Sequence, residues 1–103
     1  MSYCLVITTY GSRDEAEKLA SQMVETRLAA CVQQSSITSY YTWEGKVNHD
    51  PEFRLFIKTR KALYIQLEQF IKDNHSYDVP QIIEIPIQSG LSEYLGWIDE
   101  VTT

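Results

Sequence analysis

Ser39-Tyr40-Tyr41-Thr42-Trp43-Glu44-Gly45-Lys46 runs three aromatics into a tight turn. Glycine takes positive φ there at no steric cost, so Glu44-Gly45 reverses the chain. The approach from Ala29 to Trp43 is extended, with Val32, Ile37, Tyr40, Tyr41 and Trp43. Phe53-Arg54-Leu55-Phe56-Ile57-Lys58-Thr59 resumes a strand after a loop or edge region containing Asp50-Pro51. Proline cannot donate to a ladder, so Pro51 marks an edge or a bulge. The product is a hairpin, long for a chain of 103 residues, whose tip extends beyond the core.

Outward from the hairpin, each side carries a helix and then a strand. Residues 3–10 are β-branched and aromatic, bounded by Gly11, and read as a strand. Ser12-Arg13-Asp14-Glu15 fits a capping box, and Ala16, Leu19, Ala20, Met23, Val24 and Leu28 follow at helical spacing. Residues 61–73 form the second helix, with Leu63, Tyr64, Leu67, Phe70 and Ile71 as one stripe. Ile82–Ile87 is a fourth strand; Ser89-Gly90 breaks it, and 92–98 suggests a short final helix. The order β-α-β-β-α-β-α implies an α+β, ferredoxin-like plan: a four-stranded antiparallel sheet, both long helices on one face, a long hairpin and an extra C-terminal helix. One domain, 1–103, is expected.

Fourteen acidic residues against nine basic give a net charge of −5, which argues against nonspecific nucleic-acid binding. No apolar run approaches the ~20 residues that cross a bilayer, and Met1–Val6 lacks the basic start of a secretory signal. Neither nucleic acid nor membrane is therefore expected as a partner. Cys4 and Cys31 sit singly in apolar strand-like runs, and read as two reduced, buried cysteines of a cytosolic protein.

A sheet with helices on one face leaves the other bare, and the hairpin leaves edges that invite pairing. Tyr40, Tyr41 and Trp43 therefore read as interface anchors, favoured over a cluster that packs only on its own subunit. The other dense segment, Asn74-His75-Ser76-Tyr77-Asp78-Val79-Pro80-Gln81-Ile82, places an imidazole, a phenol and a carboxylate in the connection between helix and strand. Connections held on a rigid scaffold are where binding chemistry concentrates.

Arg27-Leu28-Ala29-Ala30-Cys31-Val32, Trp43-Glu44-Gly45-Lys46, Ile57-Lys58-Thr59-Arg60 and the His75-x-Tyr77-x-x-Pro80 segment occur in this order. Together they closely resemble the CutA family of divalent-cation tolerance proteins, across essentially the whole chain. The resemblance implies a tightly packed homotrimer related to PII-type signalling proteins, cytoplasmic, and associated with tolerance to copper and other divalent cations. It also implies that ligands for copper(II) or another divalent cation sit at the positions of Thr8, Asn74 and His75; only His75 has a ligand of the right type. No ion is expected to be required for folding.

His75 is thus the one metal ligand to name, with Asp78 in its own loop or Glu84 across a subunit boundary as companions. A histidine that stabilises the C-terminal dipole of the second helix is weighted at least equally. His49 reads as a solvated surface residue. Lys58 and Arg60 alternate along one strand and so share a side; with Tyr77 they make a candidate effector cleft. A salt bridge from this basic set, for instance to Glu44 or Glu84, is the competing reading. The function expected is a trimeric divalent-cation tolerance protein, chiefly toward copper, metal-binding or signalling, and the alternative is a PII-like sensor of a small anionic effector held in the clefts between subunits. An enzyme is not expected: Tyr10-Gly11-Ser12-Arg13 is too sparse for a phosphate cradle, and no nucleophile–base–acid set is present.

Overall fold

Residues 2–103 are described by a computed structural model; Met1, inside the expected domain 1–103, lies outside the described residues. The chain runs β1 (Tyr3–Tyr10), α1 (Arg13–Glu25), β2 (Cys31–Trp43), β3 (Lys46–Arg60), a 3₁₀ turn (Lys61–Leu63), α2 (Tyr64–Asp73), β4 (Ile82–Ile87) and α3 (Ser92–Val101). The strands form one antiparallel sheet in the order β2-β3-β1-β4. This is the ferredoxin-like arrangement with a third helix. No helix among the described residues is long and apolar enough to cross a membrane.

Period-two alternation decides which side chains meet the helices. Cys4 and Val6 of β1 and Leu55 and Ile57 of β3 point inward and are fully buried. They pack with Leu19 and Met23 of α1 and Leu67 and Ile71 of α2. The alternate positions, Leu5, Ile7 and Phe56, are only half-buried, and Ile83 and Ile85 of β4 remain 45% and 42% exposed. One sheet face is therefore core, and the other is apolar and largely open.

β3 is longer than its sequence suggests: it begins at Lys46 and pairs with β2 without interruption, from Trp43↔Lys46 to Cys31↔Lys58. Pro51 sits within this register opposite Thr38, so it marks an edge and not a bulge. The reason lies in β1, whose pairing with β3 ends at Tyr10↔Phe53. Beyond Phe53 the hairpin stands on its own two strands, and Pro51 disturbs no third strand. The molecule accordingly extends 45 Å along its long axis against 25 and 22 Å across it. Both turn residues take positive φ, Glu44 at 52° and Gly45 at 77°. Such a two-residue turn matches the twist of the flanking strands.

Helix α1 is capped as its sequence implies, the Glu15 N–H donating to Ser12 Oγ at 3.3 Å. It stops at Glu25, and Arg27 then adopts a left-handed φ of 63° that turns the chain into β2. Cys4 is buried as expected, whereas Cys31 is only half-buried, because its alternation parity puts it on the open face opposite Lys58. Both cysteines are free.

Burial, with Glu84 nearby, pushes the Cys4 thiol up from 9.0 to about 12. Burial and the bond to Glu68 push the Tyr64 phenol from 10.0 to about 12. Each raised value favours the neutral form in the folded state. The stabilisation is therefore complete below the unfolded values and is lost as pH rises through the folded ones. Thermal unfolding followed by circular dichroism should give a midpoint that falls between pH 9 and 12, less steeply in Cys4→Ala. A midpoint level across that window would contradict the assignment.

Candidate functional site

The first half of the chain between α2 and β4, residues 74–77, is held at every residue. Asn74 ends the helix, its amide Nδ2 donating to Phe70 O at 2.9 Å. His75 then turns inward and stacks on Tyr10, ring centroids 4.3 Å apart and planes 12° apart. The Tyr77 N–H donates to His75 Nδ1 at 3.1 Å, so Nδ1 is the unprotonated nitrogen. Nε2 therefore carries the proton and donates to Thr9 O at 2.7 Å. Both ring nitrogens are committed within the subunit.

Ser76 donates through its backbone N–H and its hydroxyl to the two oxygens of Glu15, each at 2.9 Å. Glu15 thus completes only half of the expected capping box; its carboxylate is turned to the loop instead. Tyr77 passes the end of β1 at Gly11, where an added Cβ would lie 2.9 Å from the phenol oxygen. Its hydroxyl donates to Glu52 Oε2 at 2.8 Å, and Ser39 Oγ donates to Glu52 Oε1 at 2.6 Å. Burial first, and the Glu52 carboxylate second, raise the Tyr77 phenol well above its ordinary value. Next along the hairpin the Tyr41 hydroxyl bonds to Asp50, which raises that phenol also.

Thr8 is fully buried on the core side of β1, and its hydroxyl has no hydrogen-bond partner. Among the described residues no group of three His, Cys, Asp or Glu side chains is placed to hold a metal ion. Within one subunit, then, the residues do not fit a ready-made metal centre. Asp78 and Glu84 make no contact with His75; Glu84 instead pairs with Lys61 at 2.5 Å.

Lys58 and Arg60 do share a face, but α3 occupies it. Lys58 Nζ lies 5.6 Å from the centre of the Tyr94 ring, and Arg60 Nε donates to Thr102 Oγ1 at 2.9 Å. Tyr77 is not brought to them: Glu52, its partner, lies ~20 Å along β3 from Lys58 at ~3.4 Å per residue. Within one subunit, then, the three residues do not meet. Arg60 and Lys61 instead line an open groove of about 310 Å³ with Ser2, Ala62 and Asp99.

Tyr40, Tyr41 and Trp43 are exposed, at 72%, 43% and 65%. Alternation divides them. Tyr41 and Trp43 share the open face, while Tyr40 points to the opposite side and stacks on His49 at 5.3 Å. Sequence reasoning missed Glu15, Glu52 and Gly11 as partners of the loop; only Glu15 carried a signal, as a capping-box position.

A family model described as CutA1 divalent ion tolerance protein matches residues 4–101. The divalent-cation tolerance protein CutA of Archaeoglobus fulgidus is 42% identical over 95 residues, 92% of this chain and 93% of that one. The chloroplastic protein CutA of Arabidopsis thaliana is 43% identical over 99 residues, 95% of this chain but 54% of that longer one. A solved structure described as the periplasmic divalent cation tolerance protein CutA from Archaeoglobus fulgidus superposes with a TM-score of 0.93 at 40% identity, covering 96% of this chain and 97% of that one. The chloroplastic and periplasmic descriptions overturn the expected cytoplasmic location.

Gly11→Ala should destabilise the fold by about 1.5 kcal/mol, the worth of the bond to the charged Glu52 carboxylate that the new methyl displaces from Tyr77. In a Tyr77→Phe background the cost of Gly11→Ala should nearly vanish, since the clashing oxygen is gone. Urea unfolding of the four proteins measures this. Equal costs in both backgrounds would refute the contact.

Proposed function

The chain belongs to the family of CutA1 divalent ion tolerance proteins, and from that premise we propose that it works as a homotrimeric divalent-cation response protein, chiefly toward copper. The observation that carries this reading is the open sheet face. Leu5, Ile7 and Phe56 lie there half-buried beside Ile83 and Ile85, and farther along the hairpin Ile37, Tyr41 and Trp43 share that face with Arg54, Glu52 and Asp50. An apolar patch of this kind, with exposed aromatics farther out, is a surface for association.

The sheet also ends in two different unpaired edges, β2 and β4. Joining the β2 edge of one copy to the β4 edge of the next is a head-to-tail contact, which closes into a ring when the rotation allows. Three copies are the number that the family resemblance supplies. Such a ring removes both edges and buries the open faces together.

The metal part of the reading rests on His75. Copper(II) ordinarily takes several nitrogen or oxygen ligands. For His75 to serve, it must release either the Thr9 carbonyl or the Tyr77 N–H. Further ligands then come from Asp78 or from a neighbouring subunit. Affinity is set by what the loop gives up, which favours a responsive site over a storage site. The action is binding and not catalysis. Its support is that His75 is committed on both nitrogens and the Cys4 thiol, at about 12, is held protonated. The groove at Arg60 and Lys61 favours a second reading, a small anionic effector held there.

Calorimetric titration of metal-free protein with copper(II), with zinc(II) as comparison, tests the proposal. Saturable copper binding that weakens at least about tenfold in His75→Ala is expected, a loss of ~1.4 kcal/mol. Absence of binding, or binding indifferent to His75, would remove direct ligation and leave the effector reading.

A further inference from the structure

The hairpin leaves the sheet at one identifiable place. β1 pairs with β3 only as far as Phe53, so from Glu52 to the turn the two strands lack a third. Glu52 is the first residue beyond that support, and both of its oxygens are used. One accepts from Ser39 on the neighbouring strand, the other from Tyr77 in the loop after α2. Tyr77 is in turn fixed by its N–H to His75, and Ser76 beside it by Glu15. The loop therefore braces the hairpin at its base, where no strand does so.

We propose that Glu52 is a coupling residue, and that the loop 75–77 and the outer half of the β2–β3 hairpin move as one unit through Tyr77–Glu52–Ser39. Whatever draws on the His75 ring withdraws the Tyr77 N–H, unloads Glu52 and loosens the strand that carries Tyr41 and Trp43. A change at the loop is thus felt on the hairpin. The consequence for assembly rests on the reading of the hairpin as part of the interface between copies. A carboxylate held by donors from two separate elements transmits in this way because losing one donor frees the side chain to re-aim.

Amide hydrogen exchange of the metal-free protein, followed by mass spectrometry on peptides covering residues 36–43 and 46–52, tests the coupling. Tyr77→Phe removes one oxygen and should accelerate exchange in both peptides by about tenfold, the effect of one bond to a charged group. Glu52→Gln should do the same, and the double variant should show no further acceleration. His75→Ala should speed hairpin exchange in the natural background and leave it unaltered in Glu52→Gln. Unchanged exchange in Tyr77→Phe, or effects that simply add, would overturn the proposal. The mass of the same samples in solution judges the assembly reading separately: a monomer with coupled exchange removes the interface and keeps the relay.

Discussion

One sheet whose two long helices cover the same side, leaving the other to a single short helix at one end, is the constraint from which the rest follows. A chain of this length packs two long helices and spends them both on the inner face of β1 and β3. The outer face keeps its isoleucines, leucine and phenylalanine because alternation places them there. α3 shields only one end of that face, through Tyr3–Asp99, Arg60–Thr102 and the Lys58–Tyr94 contact. A small domain also retains a large exposed surface, so association adds burial that the single chain cannot supply.

The hairpin is the second consequence. Its strands run past the end of β1, which gives length without a third strand to support it. Side chains supply what the sheet does not: Ser39 and Tyr77 on Glu52, Tyr41 on Asp50. The same loop that braces the hairpin holds His75, the imidazole proposed as a metal ligand. The brace and the proposed response therefore draw on one set of hydrogen bonds. The imidazole is fixed by bonds at both ring nitrogens, and available to another ligand only if one of them gives way.

Much of this was legible in residues alone. Periodicity located every strand and helix, and Ser12, Gly45 and Pro51 marked a cap, a turn and an edge as their chemistry requires. The length of β3 was hidden because polar Lys46–Glu52 lacks apolar alternation outside the core, where nothing selects for it. The loop contacts were hidden for a different reason. Glu52 and Tyr77 are joined by topology, and nothing local to either residue announces the other. Lys58 and Arg60 lie ~20 Å along the sheet from the partner of Tyr77, so within one chain the length of β3 keeps Tyr77 from the basic pair.

The account stands or falls on the open face. Sedimentation equilibrium over a dilution from micromolar to nanomolar chain measures it directly, without a metal or a label. Three times the mass of one chain is expected throughout the range, with Ile83→Asp, which places a charge on the open face, shifting the equilibrium toward single chains. A natural protein that sediments as a folded single chain at micromolar concentration would contradict it.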